Sequence, residues 1–167
     1  MKSSARTTYI FLFGLTLWIF LFSLLLEYGF GLAPCSLCLL DRYLMAILAG
    51  LFAIALLHNP TPIGQIFYAI ITFTLSFLGI LLTARHIWIM HLPPDQVPAC
   101  TPGLNYLMET LPILEVLLVT LRGSGECAQN VGMFLGIPLP EWTLGVFILL
   151  TLACLLPLIQ KAHKRKT

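Results

Sequence analysis

The amino-acid sequence predicts an all-α membrane protein, a four-transmembrane-helix bundle whose long loop carries a short interfacial helix. Three observations point there. Only 10% of the 167 residues are charged, 59% are hydrophobic, and the mean hydropathy is +0.95. Soluble domains of this size rarely reach that balance. Four apolar runs have the length a bilayer span needs, at residues 8–26, 37–57, 63–84 and 142–159. Basic residues gather at the two ends, Lys2 and Arg6 at one and Lys161, Lys164, Arg165 and Lys166 at the other, with every acidic residue between them. Positive charge marks the cytoplasmic side. Both termini are therefore expected in the cytoplasm, which requires an even number of spans.

The first run carries no charge, and its apolar core is longer than the roughly 7–15 residues of a signal peptide. Its one small-residue site, Gly31-Leu32-Ala33, is followed by Pro34, so a retained span is expected. The second run begins near Cys35, holds Asp41 and Arg42 in its first turns, and stops at the turn cluster His58-Asn59-Pro60-Thr61-Pro62. The third ends at Arg85-His86 or continues as helix to Met90, before Pro93-Pro94. Residues 91–140 then form a long loop outside the membrane core. Within it Leu107, Met108, Leu111, Leu114, Leu117, Leu118 and Leu121 recur at helical spacing. Pro112, Glu109 and Glu115 interrupt that stretch, and a fifth span would separate the basic termini. It is expected to lie on the membrane surface as an interfacial helix. The last run opens on Trp142, an aromatic of the interfacial kind. No internal repeat divides the chain, so one domain over 1–167 is predicted. No basic stripe is present, so nucleic acid is excluded as a partner.

This topology places Cys35, Cys38, Cys100 and Cys127 on the side opposite the basic termini. In a bacterial inner-membrane protein that side is the periplasm, where disulfides persist. In the stretch Pro34-Cys35-Ser36-Leu37-Cys38-Leu39-Leu40-Asp41-Arg42, Pro34 can open a helix. Cys35 and Cys38 then fall on adjacent turns, and Arg42 follows Cys38 on the same face. A fixed cation beside a thiol favours the thiolate, so the stretch reads as a redox pair. Zinc is disfavoured, because the four cysteines lack compact finger spacing and Arg42 repels a cation; no metal is expected. A tetraspan scaffold with structural disulfides is the rival reading. It is weakened because a Cys-x-x-Cys link closes too short a loop to constrain the unfolded chain much. Arg85 fits an interfacial anchor, Asp41 a counter-ion for a basic neighbour, and Cys154 an inert apolar residue. His86 and His91 fit ordinary interfacial positions equally well. No haem or flavin motif is visible, so a membrane quinone is the natural two-electron acceptor for a pair at the bilayer surface.

With Arg85-His86, Leu92-Pro93-Pro94-Asp95-Gln96-Val97-Pro98-Ala99-Cys100, Gly123-Ser124-Gly125-Glu126-Cys127-Ala128 and Phe134-Leu135-Gly136-Ile137-Pro138-Leu139-Pro140-Glu141-Trp142, the chain resembles the DsbB family along essentially its whole length. These are bacterial disulfide-bond formation proteins, whose relay with DsbA and quinone is the general scheme for keeping the periplasm oxidising. The resemblance implies a DsbA-like periplasmic thioredoxin-fold partner and ubiquinone, or menaquinone, as acceptor. It implies resting disulfides Cys35–Cys38 and Cys100–Cys127, with Cys100 attacked by the partner and an intermediate linking Cys38 to Cys100. Cys38 would face the quinone beside Arg42 and His86. Gly132 stands where relatives often carry an aromatic, and Asp41 where some carry Glu. A vitamin-K-epoxide-reductase-like protein does similar chemistry, but its loop cysteines precede the membrane Cys-x-x-Cys. Here the order is reversed.

Overall fold

The computed structural model describes the backbone of residues 2–32, 34–93, 95–100, 104–129 and 132–164, with side chains between 6 and 155 except those of Asn105 and Gln129. The charged groups of Lys2, Lys161, Lys164, Arg165 and Lys166, and positions Ala33 and Pro94, lie outside the residues so described. In chain order the elements are α1 (Lys2–Phe30), α2 (Ser36–His58), α3 (Pro62–Met90), α4 (Leu104–Thr110), α5 (Ile113–Arg122), α6 (Glu126–Gln129), strands β1 (Met133–Phe134) and β2 (Ile137–Pro138), and α7 (Leu139–Lys164).

Local chemistry sets the helix ends. Cys35 is the extended N-cap of α2, and its sulfur accepts the Cys38 N–H at 3.4 Å, which satisfies one of the orphan donors of a first turn. Pro34 therefore precedes the cap instead of opening the helix. Asn59, left-handed at φ 45°, ends α2 with its N–H on the Ala55 carbonyl. Thr61 then caps α3, with Pro62 in its first turn. α3 runs on to Met90, the longer of the two ends the sequence allows.

Among the described residues, Arg6–Phe30, Ser36–His58 and Pro62–Met90 are long and apolar enough to cross a membrane, and α7 is apolar over Leu139–Leu155. The protein is an all-helical membrane protein apart from one small hairpin. α1 packs on α2, α2 on α3 and α3 on α7, around Leu12, Leu48, Phe52, Leu82, Phe147 and Leu150. Lipid is as apolar as leucine, so close packing and small residues hold such helices together. Gly79 shows this directly: a Cβ there would stand 2.4 Å from the Phe147 ring. The buried hydroxyls of Thr16, Thr72, Ser76 and Thr151 each donate to the carbonyl four residues earlier, so none faces hydrocarbon unpaired.

Two features depart from the sequence reading. The expected single interfacial helix is two, because Pro112 lacks an N–H and sits at the N-cap of α5. Leu104, Leu107 and Val116 pack together, with Leu39 of α2 against them. The other departure is the β1–β2 hairpin, which pairs Met133 with Pro138 and Phe134 with Ile137. Leu135 (φ 54°) and Gly136 (φ 80°) make its two-residue turn. Trp142 donates its indole N–H to the Phe134 carbonyl at 3.2 Å, and the Phe134 ring meets Phe22 of α1 edge-on at 5.5 Å. The hairpin thus clips the start of α7 to α1.

Candidate active site

The capped start of α2 places Cys35, fully buried, with its sulfur 3.0 Å from that of Cys38 and 3.7 Å from His86 Nε2 of α3. Cys127 arrives from the other side. Gly123, at φ 81°, turns the chain where a Cβ would stand 2.2 Å from Ile89, and α6 then packs on α3. The thiol groups of Cys35 and Cys127 and the imidazole of His86 lie within 4.8 Å of one another, all buried. Hydrogen bonding to the Cys35 thiol, followed by burial, pushes the Cys127 thiol above its ordinary range. Cys100 is exposed, its sulfur resting over Gly125, where an added Cβ would be 3.0 Å away.

A cleft of about 260 Å³ opens beside Cys38, between α1 and α7, with the hairpin across one end. Its walls are largely apolar, including Phe22, Leu26 and Trp142, and its polar groups include Arg42, Asp41 and His86. Arg42 forms an ion pair with Glu27 of α1 and donates from Nη2 to the Ser23 carbonyl at 3.1 Å. Its Nε is buried without a hydrogen-bond partner among the described residues. A cation inside a low-dielectric wall interacts far more strongly with a developing negative charge than it would in water.

The geometry sharpens or alters several expectations. Cys35 Sγ and Cys38 Sγ stand 3.0 Å apart, the spacing of two groups placed to bond to each other. The two pairs approach through Cys35 and Cys127, where Cys38 and Cys100 were expected to meet. Glu27 is the counter-ion of Arg42, while Asp41 lies buried, accepting from the Thr83 hydroxyl at 3.2 Å and within electrostatic reach of His86. The two histidines, equivalent in sequence, separate: His86 is 1% exposed against Cys35, whereas exposed His91 bonds the Ile87 carbonyl of its own helix at 2.8 Å. Arg85 lies outside the site; it donates to the Arg122 carbonyl that ends α5 and stacks over Trp88. Arg42 and Cys38 do line one cleft, as their spacing predicts. Cys154 is buried within α7 near Thr72, and Glu109 and Glu115 are exposed, as expected. Glu27 escaped the sequence reading, although a lone acid at the end of an apolar helix calls for a cation at the same depth.

Comparison with known proteins finds relatives along most of the chain. The family model described as disulfide bond formation protein DsbB matches residues 5–157. A protein named disulfide bond formation protein B from Nitrosococcus oceani is 46% identical over 72% of this chain and 71% of its own length. Its namesake in Chromohalobacter salexigens is 47% identical, covering 78% of this chain and 76% of the relative. The Acinetobacter baumannii protein of that name is 46% identical over 80% and 79% respectively.

Proposed function

The chain belongs to the DsbB family, membrane oxidoreductases of disulfide formation, and from that premise we propose how its own residues carry the reaction. It is a single unit over residues 1–167 in the bacterial inner membrane. α1, α2, α3 and α7 are its four spans, both termini are cytoplasmic, and residues 91–140 face the periplasm. It reoxidises a DsbA-like thioredoxin-fold partner and passes the electrons through two cysteine pairs to a membrane quinone. The observation that carries the reading is the approach of Cys127 to Cys35, with an apolar, cation-bearing cleft on the far side of Cys38.

Thiol–disulfide exchange requires a thiolate to reach the sulfur it attacks. Cys100 is the exposed member of its pair and takes the partner's thiolate, so Cys127 is the leaving group. Its nearest target is Cys35. Attack there breaks the Cys35–Cys38 bond, forms Cys35–Cys127, and frees Cys38 as a thiolate beside the cleft. The partner's second thiol then attacks the disulfide joining its neighbour to Cys100 and the partner leaves oxidised; the freed Cys100 thiolate attacks Cys127, which re-forms Cys100–Cys127 and releases Cys35, so that Cys35 and Cys38 hold the two electrons.

The cleft fits a quinone. Its walls are largely apolar, as a quinone ring requires, and Arg42 Nε, without a hydrogen-bond partner among the described residues, offers a donor to a carbonyl oxygen. Ubiquinone or menaquinone would supply the two-electron acceptor. Arg42 holds positive charge where reduction places negative charge, and Glu27 and Ser23 hold Arg42. The test mixes full-length purified protein with the reduced partner and ubiquinone and follows quinone absorbance. Stoichiometric quinone reduction with partner oxidation is expected. No quinone consumption would leave the scaffold with structural disulfides as the better reading.

A further inference from the structure

We propose that His86 is the base that takes the Cys35 proton, and that Asp41 is the positioning residue that fixes His86 for that task. This deepens the function proposed above and rests on it for the identity of the oxidant. His86 Nε2 faces Cys35 Sγ at 3.7 Å, and the ring is 1% exposed. Its other nitrogen, Nδ1, is buried without a hydrogen-bond partner among the described residues. So is Asp41 Oδ1, one helix away and within electrostatic reach of the ring. Buried polar atoms are seldom left unpaired, and one bridging water would satisfy both. The alternative cation for Asp41 is taken, because Arg42 is paired with Glu27.

The remaining groups around the ring do not compete for this role. α2 brings Cys35, Cys38, Asp41 and Arg42, α6 brings Cys127, and α1 brings Glu27 across the cleft, where the described residues of α7 that line it carry no charge. A carboxylate bridged to Nδ1 would hold the proton there and leave the Nε2 lone pair toward Cys35. It also offsets the positive charge His86 gains on taking a proton. Thr83 adds a second feature. Its single hydroxyl proton lies between Asp41 Oδ2 at 3.2 Å and the Gly79 carbonyl at 2.8 Å. The network is therefore complete whether Asp41 is ionised and accepts from Thr83, or is protonated and donates to it. Such a group can hold a proton without breaking its surroundings.

Cys35 gives its proton to His86 Nε2 as the Cys35–Cys38 bond forms, and the two sulfurs release two electrons to the quinone. His86, which also lines the cleft, returns that proton to the reduced oxygen. The second proton comes from the membrane surface, where the partner's attacking thiol had lost its own.

Nitrogen-15 NMR of the histidines in the full-length reduced protein, with His86 assigned by His86→Gln, tests the pairing without any quinone. Wild type should show a single His86 tautomer with its proton on Nδ1. Asp41→Asn should mix the tautomers, since an amide offers N–H as readily as C=O, and Asp41→Glu should restore one. In single turnover, Asp41→Asn should slow ubiquinone reduction about tenfold and His86→Gln by on the order of a hundredfold. Asp41→Glu should recover most of the rate, and partner attack on Cys100 should be unchanged throughout. An unmoved tautomer in Asp41→Asn overturns the proposal. So does a moved tautomer with wild-type quinone reduction. Should wild type fail to reduce ubiquinone at all, the function proposed above falls, and the tautomer comparison still decides the Asp41–His86 pairing.

Discussion

The two cysteine pairs are held in opposite ways. Cys35 and Cys38 belong to one rigid unit, a helix cap and the first turn it caps. Cys100 and Cys127 belong to different pieces of the long connection, one exposed on an extended segment and the other buried in a short turn. The difference separates access. A folded partner can touch Cys100, whereas Cys35 can be reached only from within, by Cys127 and His86. A pair split between surface and interior can pass a disulfide inward; a pair fixed on one cap can hold a short loop ready to open and close.

The largest expected effects break that division of labour. Cys127→Ser and Cys38→Ser should each lower steady-state turnover at least about a thousandfold, since neither pair functions alone. Their trapped species should differ. With Cys127→Ser the Cys100 thiolate can join the partner only by opening an oxidised partner's disulfide, so that adduct should form with oxidised and not with reduced partner; with Cys38→Ser, Cys35 attacks the intact Cys100–Cys127 bond and peptide mapping should find Cys35 joined to Cys127. Recovery of a Cys35–Cys100 link instead would move the meeting point out of the buried cluster.

Next in size is the cation of the inner pair. Arg42→Ala should slow quinone reduction on the order of a hundredfold and raise the apparent KM for quinone, because a fixed charge in a desolvated site is lost. Glu27→Gln, which only loosens Arg42, should move both in the same direction by roughly tenfold or less. Rapid-mix exchange between partner and Cys100 should match wild type in both variants. A defect confined to that exchange would place Arg42 in service of the loop.

The helices and the composition of the inner pair were legible in sequence because hydropathy, spacing and caps are local. Cys38 and Arg42 sit four residues apart on one helix, so their shared cleft followed from geometry alone. Contacts between elements were not legible. That Cys127 meets Cys35, and that Glu27 meets Arg42, depends on how α6 and α1 pack, which no spacing within one segment encodes. His86 and His91 lie on one helix in similar sequence surroundings, and only packing tells the buried ring from the exposed one. The hairpin was missed because two-residue strands carry no alternation, although Gly136 in its turn was a usable signal.

A smaller effect should touch the outer pair alone. A Cβ at Gly125 would lie 3.0 Å from both Cys100 Sγ and the Pro98 carbonyl oxygen. The sulfur can swing away, but the backbone oxygen cannot without moving the segment. Gly125→Ala should therefore slow partner exchange by about threefold to tenfold, the scale of roughly 1 kcal/mol in a barrier. Quinone reduction by the prereduced inner pair should be unchanged. Equal slowing of both half-reactions would mean that the segment bearing Cys100 is coupled to the cleft.

The smallest effect belongs to the fifth cysteine, which tests whether burial alone accounts for the behaviour of a thiol here. Cys154 is as buried as Cys35 and Cys127, yet it sits within α7 beside Thr72 and Tyr9, outside the cluster of Cys35, Cys127 and His86. Exchange needs a sulfur partner within reach, not merely a sheltered thiol. Removing Cys154 takes away one sulfur atom from a packed helix surface, so Cys154→Ala should cost on the order of 1 kcal/mol in stability, the scale of a small core truncation. Steady-state turnover, the trapped species of the Cys38→Ser background and the quinone KM should all stay within twofold of their parents. Thermal unfolding in detergent, read beside the coupled partner–quinone assay, separates the two contributions. A turnover loss approaching that of Cys38→Ser, at unchanged unfolding temperature, would place Cys154 on the electron path and end the division between four working thiols and one that only fills space.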